Sequence, residues 1–208
     1  ELAMMGKTVS VISGGDPGIY AMAGLVFEIL KSGNWEVGSK KFKRRDISKS
    51  STSHFSFDVE VIPGIPALSA CAAKLGAPLM HDFASISLSD RLTPWELIEK
   101  RLEAAAGADF IIVLYNPKSK GRQEHIHKAQ RVILRHRLPE TPVGIVRAAT
   151  RDQEKIIITS LKDMTSHEID MQTTVTIGNS QTFIWKGWMV TPRGYEKKFK
   201  VQSSKFKS

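Results

Sequence analysis

The chain has a single cysteine, Cys71, in 208 residues. That excludes an internal disulfide and any cysteine-only metal cluster, and it suits a reducing, cytoplasmic setting. No apolar run reaches the eighteen or so residues of a membrane span. No basic stretch followed by an apolar run opens the chain, so no secretory leader is expected. The fingerprint G-x-G-x-x-G, the phosphate loop of nucleotide hydrolases and the serine elbow are all missing, which argues against a dinucleotide oxidoreductase, an NTPase and a serine hydrolase. The histidines have no metal-ligand spacing. His125 and His127 stand two apart on an expected helix, about 200° around its axis, and read as surface residues.

Positive charge is abundant but local. The net charge is +9. Lys40, Lys41, Lys43, Arg44, Arg45 and Lys49 crowd one stretch against Asp46, and Arg193, Lys197, Lys198, Lys200, Lys205 and Lys207 crowd the end against Glu196. These two runs carry all of the excess, so the body is close to neutral. A nucleic-acid or membrane-surface role would rest on the runs alone, and two solvated charge runs are the expected reading. Residues 38–56 read as a flexible basic insertion and 196–208 as a basic tail.

Elsewhere, short β-rich runs alternate with helical periodicity, the pattern of an α/β protein. Strands are expected at Thr8–Ser13, Asp58–Ile62, Phe83–Leu88, Asp109–Tyr115, Val143–Arg147, Lys155–Ser160, Thr173–Ile177 and Trp188–Val190. A helix is expected after Pro17, with Asp16 as its N-cap and an apolar face of Ile19, Met22, Ala23, Val26, Phe27 and Leu30. A small-residue helix is expected from Pro66 to Leu75. Thr93 to Glu96 reads as a capping box that opens a helix running to about Ala106, and Arg122–Arg137 reads as helical.

Three places offer chemistry. The turn Gly14-Gly15-Asp16-Pro17 joins a strand to a helix N-terminus, where free N–H groups and small residues admit a ligand. An acidic side chain there suits an amine or ribose hydroxyls, although an ordinary βα turn would look the same. His81 and Asp82 form a titratable pair suited to proton transfer, or a loop pair bonded to nearby backbone. Tyr115-Asn116-Pro117 ends a strand and leads into Lys118, Lys120 and Arg122, a basic loop placed where open α/β sheets hold ligands and suited to carboxylates. A solvated loop is the plain alternative.

The segments VISGGDPGIYAMAGLVFE, VEVIPGIPALSACAAKLGAPLMHDFASISLSDRLTPWELIEKRLEAAAGADFIIVLYNPKSKGR, TPVGIVRAATR and MVTPRGY resemble the tetrapyrrole (corrin/porphyrin) methylase family. Within it they resemble most the branch acting on carbon 17 of precorrin-3B or cobalt-precorrin-3, through HDF, SLSD, LTPW and YNP followed by Ser119, Gly121 and Arg122. The resemblance implies a two-lobed α/β fold, with lobes expected at 1–80 and 81–195 and S-adenosylmethionine between them. It implies cofactor contacts at Gly14, Gly15, Asp16, Ile19, Pro66, Ala67, Tyr115, Asn116, Ala148, Ala149, Thr191 and Pro192, many through backbone. His81 and Asp82, the paired titratable groups in the most branch-specific segment, are the candidates for catalytic proton transfer, and Lys118, Lys120 and Arg122 are the candidates for the substrate's carboxylates; the resemblance suggests a homodimer, and no metal, nucleic-acid or membrane partner is expected. The implied reaction is methyl transfer to a precorrin with ring contraction, in cobalamin biosynthesis. The family's opening strand and further βα units would precede Glu1, so the first strands of the first lobe are expected to be absent. Pro66 stands where Thr or Ser is usual, and the basic insertion is atypical. The rival expectation is a partial, non-catalytic remnant of such an enzyme.

Overall fold

The computed structural model describes residues 1–35, 37–38 and 57–195. Apart from Gly38, the basic insertion lies outside the described residues, as does the tail 196–208. The chain packs as two compact units, residues 1–66 and 67–208. The division falls upstream of the lobe boundary expected at 80/81, because residues 67–77 pack within the second unit.

In the first unit, helix α1 spans Met22–Ser32 and strands β1 (Val37–Gly38) and β2 (Phe57–Asp58) form a short parallel pair. The strand expected at 8–13 does not form. A strand exists only in a ladder, and among the described residues none pairs with that segment. Helix α1 starts five residues after the expected Pro17, since Tyr20 takes a left-handed φ of 53° that breaks the helical path. Asp16 therefore caps the turn at 17–18 and not α1. Strand β2 stops at Asp58, short of the expected Ile62. None of the described residues of this unit is buried, and Ile12, Ile62 and Ile65 are strongly exposed.

The second unit holds the core. Its order is α2 (Ala67–Leu75), β3 (Gly76–Ala77), β4 (Phe83–Ser87), α3 (Trp95–Gly107), β5 (Ile111–Tyr115), α4 (His125–Ile133), β6 (Pro142–Arg147) and β7 (Lys155–Ser160). A 3-10 turn (Met164–Ser166), β8 (Thr173–Ile177), β9 (Phe183–Trp185) and β10 (Trp188–Val190) follow. A five-stranded sheet runs β4-β5-β8-β6-β7, and a smaller sheet runs β3-β10-β9. Strand β4 is parallel to β5, while β5 and β6 are each antiparallel to β8. Strands β4, β5 and β6 thus point the same way and end at one edge, which we term the carboxyl edge.

Side chains alternate across a strand, and β6 shows what that separates. Val143 and Ile145 join the large cluster with Ile98, Leu102, Ile126 and Ile133 from α3 and α4. Gly144 and Val146 face the other way, against Leu75 and Cys71 of α2 and Met189 of β10. Helices α3 and α4 therefore cover one face and α2 the other. A Cβ built on Gly144 would overlap the Leu75 side chain, so α2 approaches the sheet at the one β6 position without a side chain.

Two expectations for the helices change. Thr93 makes no capping hydrogen bond; Pro94, extended at ψ 145°, takes the N-cap place, so the expected capping box is not built. His125 is buried and not a surface residue: its ring centre lies 4.8 Å from that of Trp95.

Candidate functional site

In the first unit two expected cofactor turns meet. The Asp16 carboxylate accepts a hydrogen bond from the Gly18 N–H at 2.8 Å and another from the Gly64 N–H at 3.0 Å. That bond ties the GGDP turn to the PGI turn 48 residues later. The approach is close enough that a Cβ on Gly64 would overlap the Gly15 carbonyl, and Gly15 itself needs a left-handed φ of 75°. Both turns are thus glycine-dependent. Gly14, Gly15, Asp16 and Pro66 are brought together here, with the Asp16 carboxylate holding backbone. Ile19 is partly exposed in the following turn.

In the second unit the carboxyl edge gathers a second set. The Tyr115 hydroxyl, at the end of β5, accepts the Leu68 N–H at 2.7 Å and so satisfies a free donor of the first turn of α2. This sets Ala67 beside Tyr115. Asn116 donates through Nδ2 to the Ser87 Oγ at 2.9 Å, linking the ends of β5 and β4. At the end of β6, Ala148 donates its N–H to the Gln172 carbonyl at 3.0 Å. Asn116 and Ala148 both have positive φ, 51° and 48°, and Thr150 a third at 64°. For Ala and Thr this conformation costs on the order of 1–3 kcal/mol each, and such strain collects at ligand sites.

The strained turn at 148–150 is held by side chains that the sequence reading missed. The Glu154 carboxylate accepts the Thr150 N–H at 2.6 Å and pairs with Lys74 of α2 at 3.1 Å. Those two interactions, the Thr150 bond foremost, hold the Glu154 carboxyl below its ordinary range. Beside it, Arg147 pairs with Asp170 at 2.7 Å. Burial pushes the Asp170 carboxyl up, but hydrogen bonds from Arg147, Thr173 and Gln172 outweigh it and the net direction is down.

The basic loop divides. Arg122 is turned inward: its Nη1 faces the Leu88 carbonyl at 3.4 Å, its Nε donates to the Ser119 Oγ at 3.1 Å, and Asp90 lies 3.9 Å away. His125 meets the same Leu88 carbonyl at 2.9 Å and Asp90 at 3.4 Å. Arg122 and His125 thus clamp the SLSD segment beyond β4. Lys118 is half-buried and Lys120 exposed.

His81 and Asp82 lie elsewhere. They precede β4, and the Ile111 N–H bonds the Asp82 carbonyl at 3.2 Å, which puts them at the opposite, amino edge of the sheet. At about 3.3 Å per residue, a five-residue strand separates the two edges by about 16 Å. The two side chains are 3.8 Å apart and largely exposed. They line a cavity of about 340 Å³ with Asp109, Asn179, Pro192 and Arg193. Thr191 is fully buried and bonds Thr182 Oγ1 at 2.7 Å. The expected residues of this unit are therefore brought together in two groups, Ala67, Tyr115, Asn116, Ala148 and Ala149 at one edge, and Thr191 and Pro192 with His81 and Asp82 toward the other.

Among the described residues no group of three or more His, Cys, Asp or Glu side chains could hold a metal ion, and no helix is long and apolar enough to cross a membrane.

The fold is that of an α/β protein whose strained loops lie at the carboxyl ends of the like-directed strands β5 and β6, the place where open α/β sheets hold ligands. The sequence profile of the Tetrapyrrole (Corrin/Porphyrin) Methylases matches residues 50–165. The chain is 52% identical over 202 residues to the cobalt-factor III methyltransferase of Priestia megaterium, covering 97% of this chain but 34% of that protein. It is 45% identical over 195 residues to the probable cobalt-factor III C(17)-methyltransferase of Salmonella typhimurium, covering 94% of this chain and 73% of that one. The crystal structure of the methyltransferase CobJ superposes with a TM-score of 0.77 at 35% identity, over 92% of this chain and 72% of its own. The chain belongs to the tetrapyrrole methylase family. It spans about a third of the Priestia protein and about three-quarters of the Salmonella one.

Proposed function

We propose that this chain carries the cofactor-binding elements of an S-adenosylmethionine-dependent methyltransferase of cobalamin biosynthesis, acting on carbon 17 of a precorrin-3B-type tetrapyrrole with ring contraction. The relatives' names support the reaction class. The observation that carries the cofactor reading is the pair of left-handed non-glycine residues, Asn116 and Ala148, at the ends of β5 and β6. Both are among the expected cofactor contacts, many of which run through backbone, and strained backbone of this kind collects at ligand sites.

When bound, the cofactor supplies an electrophilic methyl group. The protein's part is alignment and exclusion of water. Tyr115 and Asn116 bound one side of the edge and Ala148–Thr150 the other. Lys118 and Lys120 are proposed to meet the substrate's carboxylates; Arg122, engaged with Leu88, Ser119 and Asp90, shapes the loop that presents them. Substrate affinity should therefore fall with rising salt, and a salt-independent KM would remove the lysines' role.

A proton-transfer role for His81 and Asp82 remains part of the proposal, exercised from the amino edge. It requires a substrate that reaches past the sheet. His81→Ala is expected to lower kcat with little change in cofactor affinity; unchanged kcat would end the assignment. The proposal includes a homodimer, checked by sedimentation.

The testing experiment is calorimetric titration with S-adenosylhomocysteine. One micromolar site per chain supports the reading. A folded sample that binds nothing favours the rival, a non-catalytic partial enzyme, for which the unpaired segment 8–13 is the structural argument.

A further inference from the structure

We propose that Glu154 is a positioning residue that holds the Ala148–Thr150 turn in its cofactor-receiving shape, with Lys74 orienting the Glu154 carboxylate. The inference rests on the cofactor reading above and goes beyond it, because Glu154 need not touch the cofactor at all.

The turn is built from residues that resist its shape. Ala148 and Thr150 both have positive φ, and neither is glycine. Backbone bonds close the two halves, from the Arg151 N–H to the Ala148 carbonyl and from the Glu154 N–H to the Arg151 carbonyl, each at 3.0 Å. The near end is fixed by the bond from Ala148 to Gln172, and Ala149 packs on the Cys71–Leu75–Val146–Met189 cluster. The far end is fixed at Thr150. Its hydroxyl bonds the Ala149 carbonyl at 2.6 Å, and its N–H reaches Glu154 Oε2 at 2.6 Å. The other carboxylate oxygen, Oε1, meets Lys74 Nζ at 3.1 Å. One carboxylate therefore joins the strained turn to α2, the helix whose first turn is bonded by Tyr115. A contact made through backbone depends on this conformation and not on the alanine side chains, so whatever holds the turn sets the affinity.

The test compares the unsubstituted chain with Glu154→Ala, Glu154→Gln and Lys74→Ala. Two quantities are read: S-adenosylhomocysteine affinity by calorimetry, and amide hydrogen exchange at Thr150 without ligand. Glu154→Ala should speed Thr150 exchange and weaken binding about tenfold, the scale of one charge-assisted hydrogen bond. Glu154→Gln keeps an acceptor for the Thr150 N–H and should recover most of the affinity; Lys74→Ala should fall between. A general loss of structure would not be rescued by glutamine. Unchanged Thr150 exchange in Glu154→Ala overturns the hold. Faster exchange with unchanged affinity overturns its link to the cofactor. If the unsubstituted chain binds no S-adenosylhomocysteine, the cofactor reading itself fails, and Thr150 exchange alone still decides whether Glu154 holds the turn.

Discussion

Cys71 shows how far a single residue's chemistry follows from its surroundings. It is 2% exposed, packed against Leu75 and Val146. Burial pushes its thiol up, opposed in part by Thr174, so the thiolate is scarce at neutral pH. A maleimide or disulfide reagent should label it only on unfolding; rapid labelling of the native chain would contradict the packing. Asp170 makes the opposite case, a carboxyl held below its ordinary value by Arg147, Thr173 and Gln172. A depressed folded pKa contributes stability above the unfolded value of about 4, and that contribution is lost as pH falls through the folded value. The stability gap between the natural chain and Asp170→Asn should thus be open at pH 7 and close in acid below pH 4, measured by urea unfolding across pH. Neither the Asp170 nor the Glu154 anchor was legible in the sequence, because their partners Arg147 and Lys74 stand 23 and 80 positions away.

Among elements, those whose periodicity is strong and whose partners are near were legible. The buried run of β5, the strands β4 and β8, and the span of α3 match their expected places within a few residues. Strand β3 was not, since two residues carry no period, and it exists only because β10 pairs with it. The contact of α2 with β6 is set at Gly144, so Gly144→Ala should overpack Leu75 and destabilise the chain by about 1–3 kcal/mol in chemical unfolding. At the end of α3, Arg137 takes the place of a cap. Its side chain is 5% exposed, and its guanidinium donates to the Ala106 and Phe110 carbonyls and pairs with Asp109. Arg137→Met would take a charged donor from both carbonyls, Ala106 keeping the Asp109 N–H, and a loss of about 2–3 kcal/mol is expected, read by the same measurement. A change within 0.5 kcal/mol would show that water replaces the arginine.

For the whole molecule, the two units differ in what they bury. Among the described residues, all buried side chains lie from Cys71 onward and those before Pro66 bury none. Limited proteolysis should therefore cut within 1–35 before it cuts within 67–195, and a first cut inside β5 or β8 would refute that order. The family and the α/β class were determined by the sequence itself, because motif and period are local properties. Which residues share an edge was decided only by the fold. Strand direction sends Tyr115, Asn116, Ala148 and Ala149 to one end of the sheet and His81 and Asp82 to the other, and the inward turn of Arg122 depends on a carbonyl at Leu88. Such placements follow from how strands pair and which carbonyls lack donors, and no reading along the chain contains them.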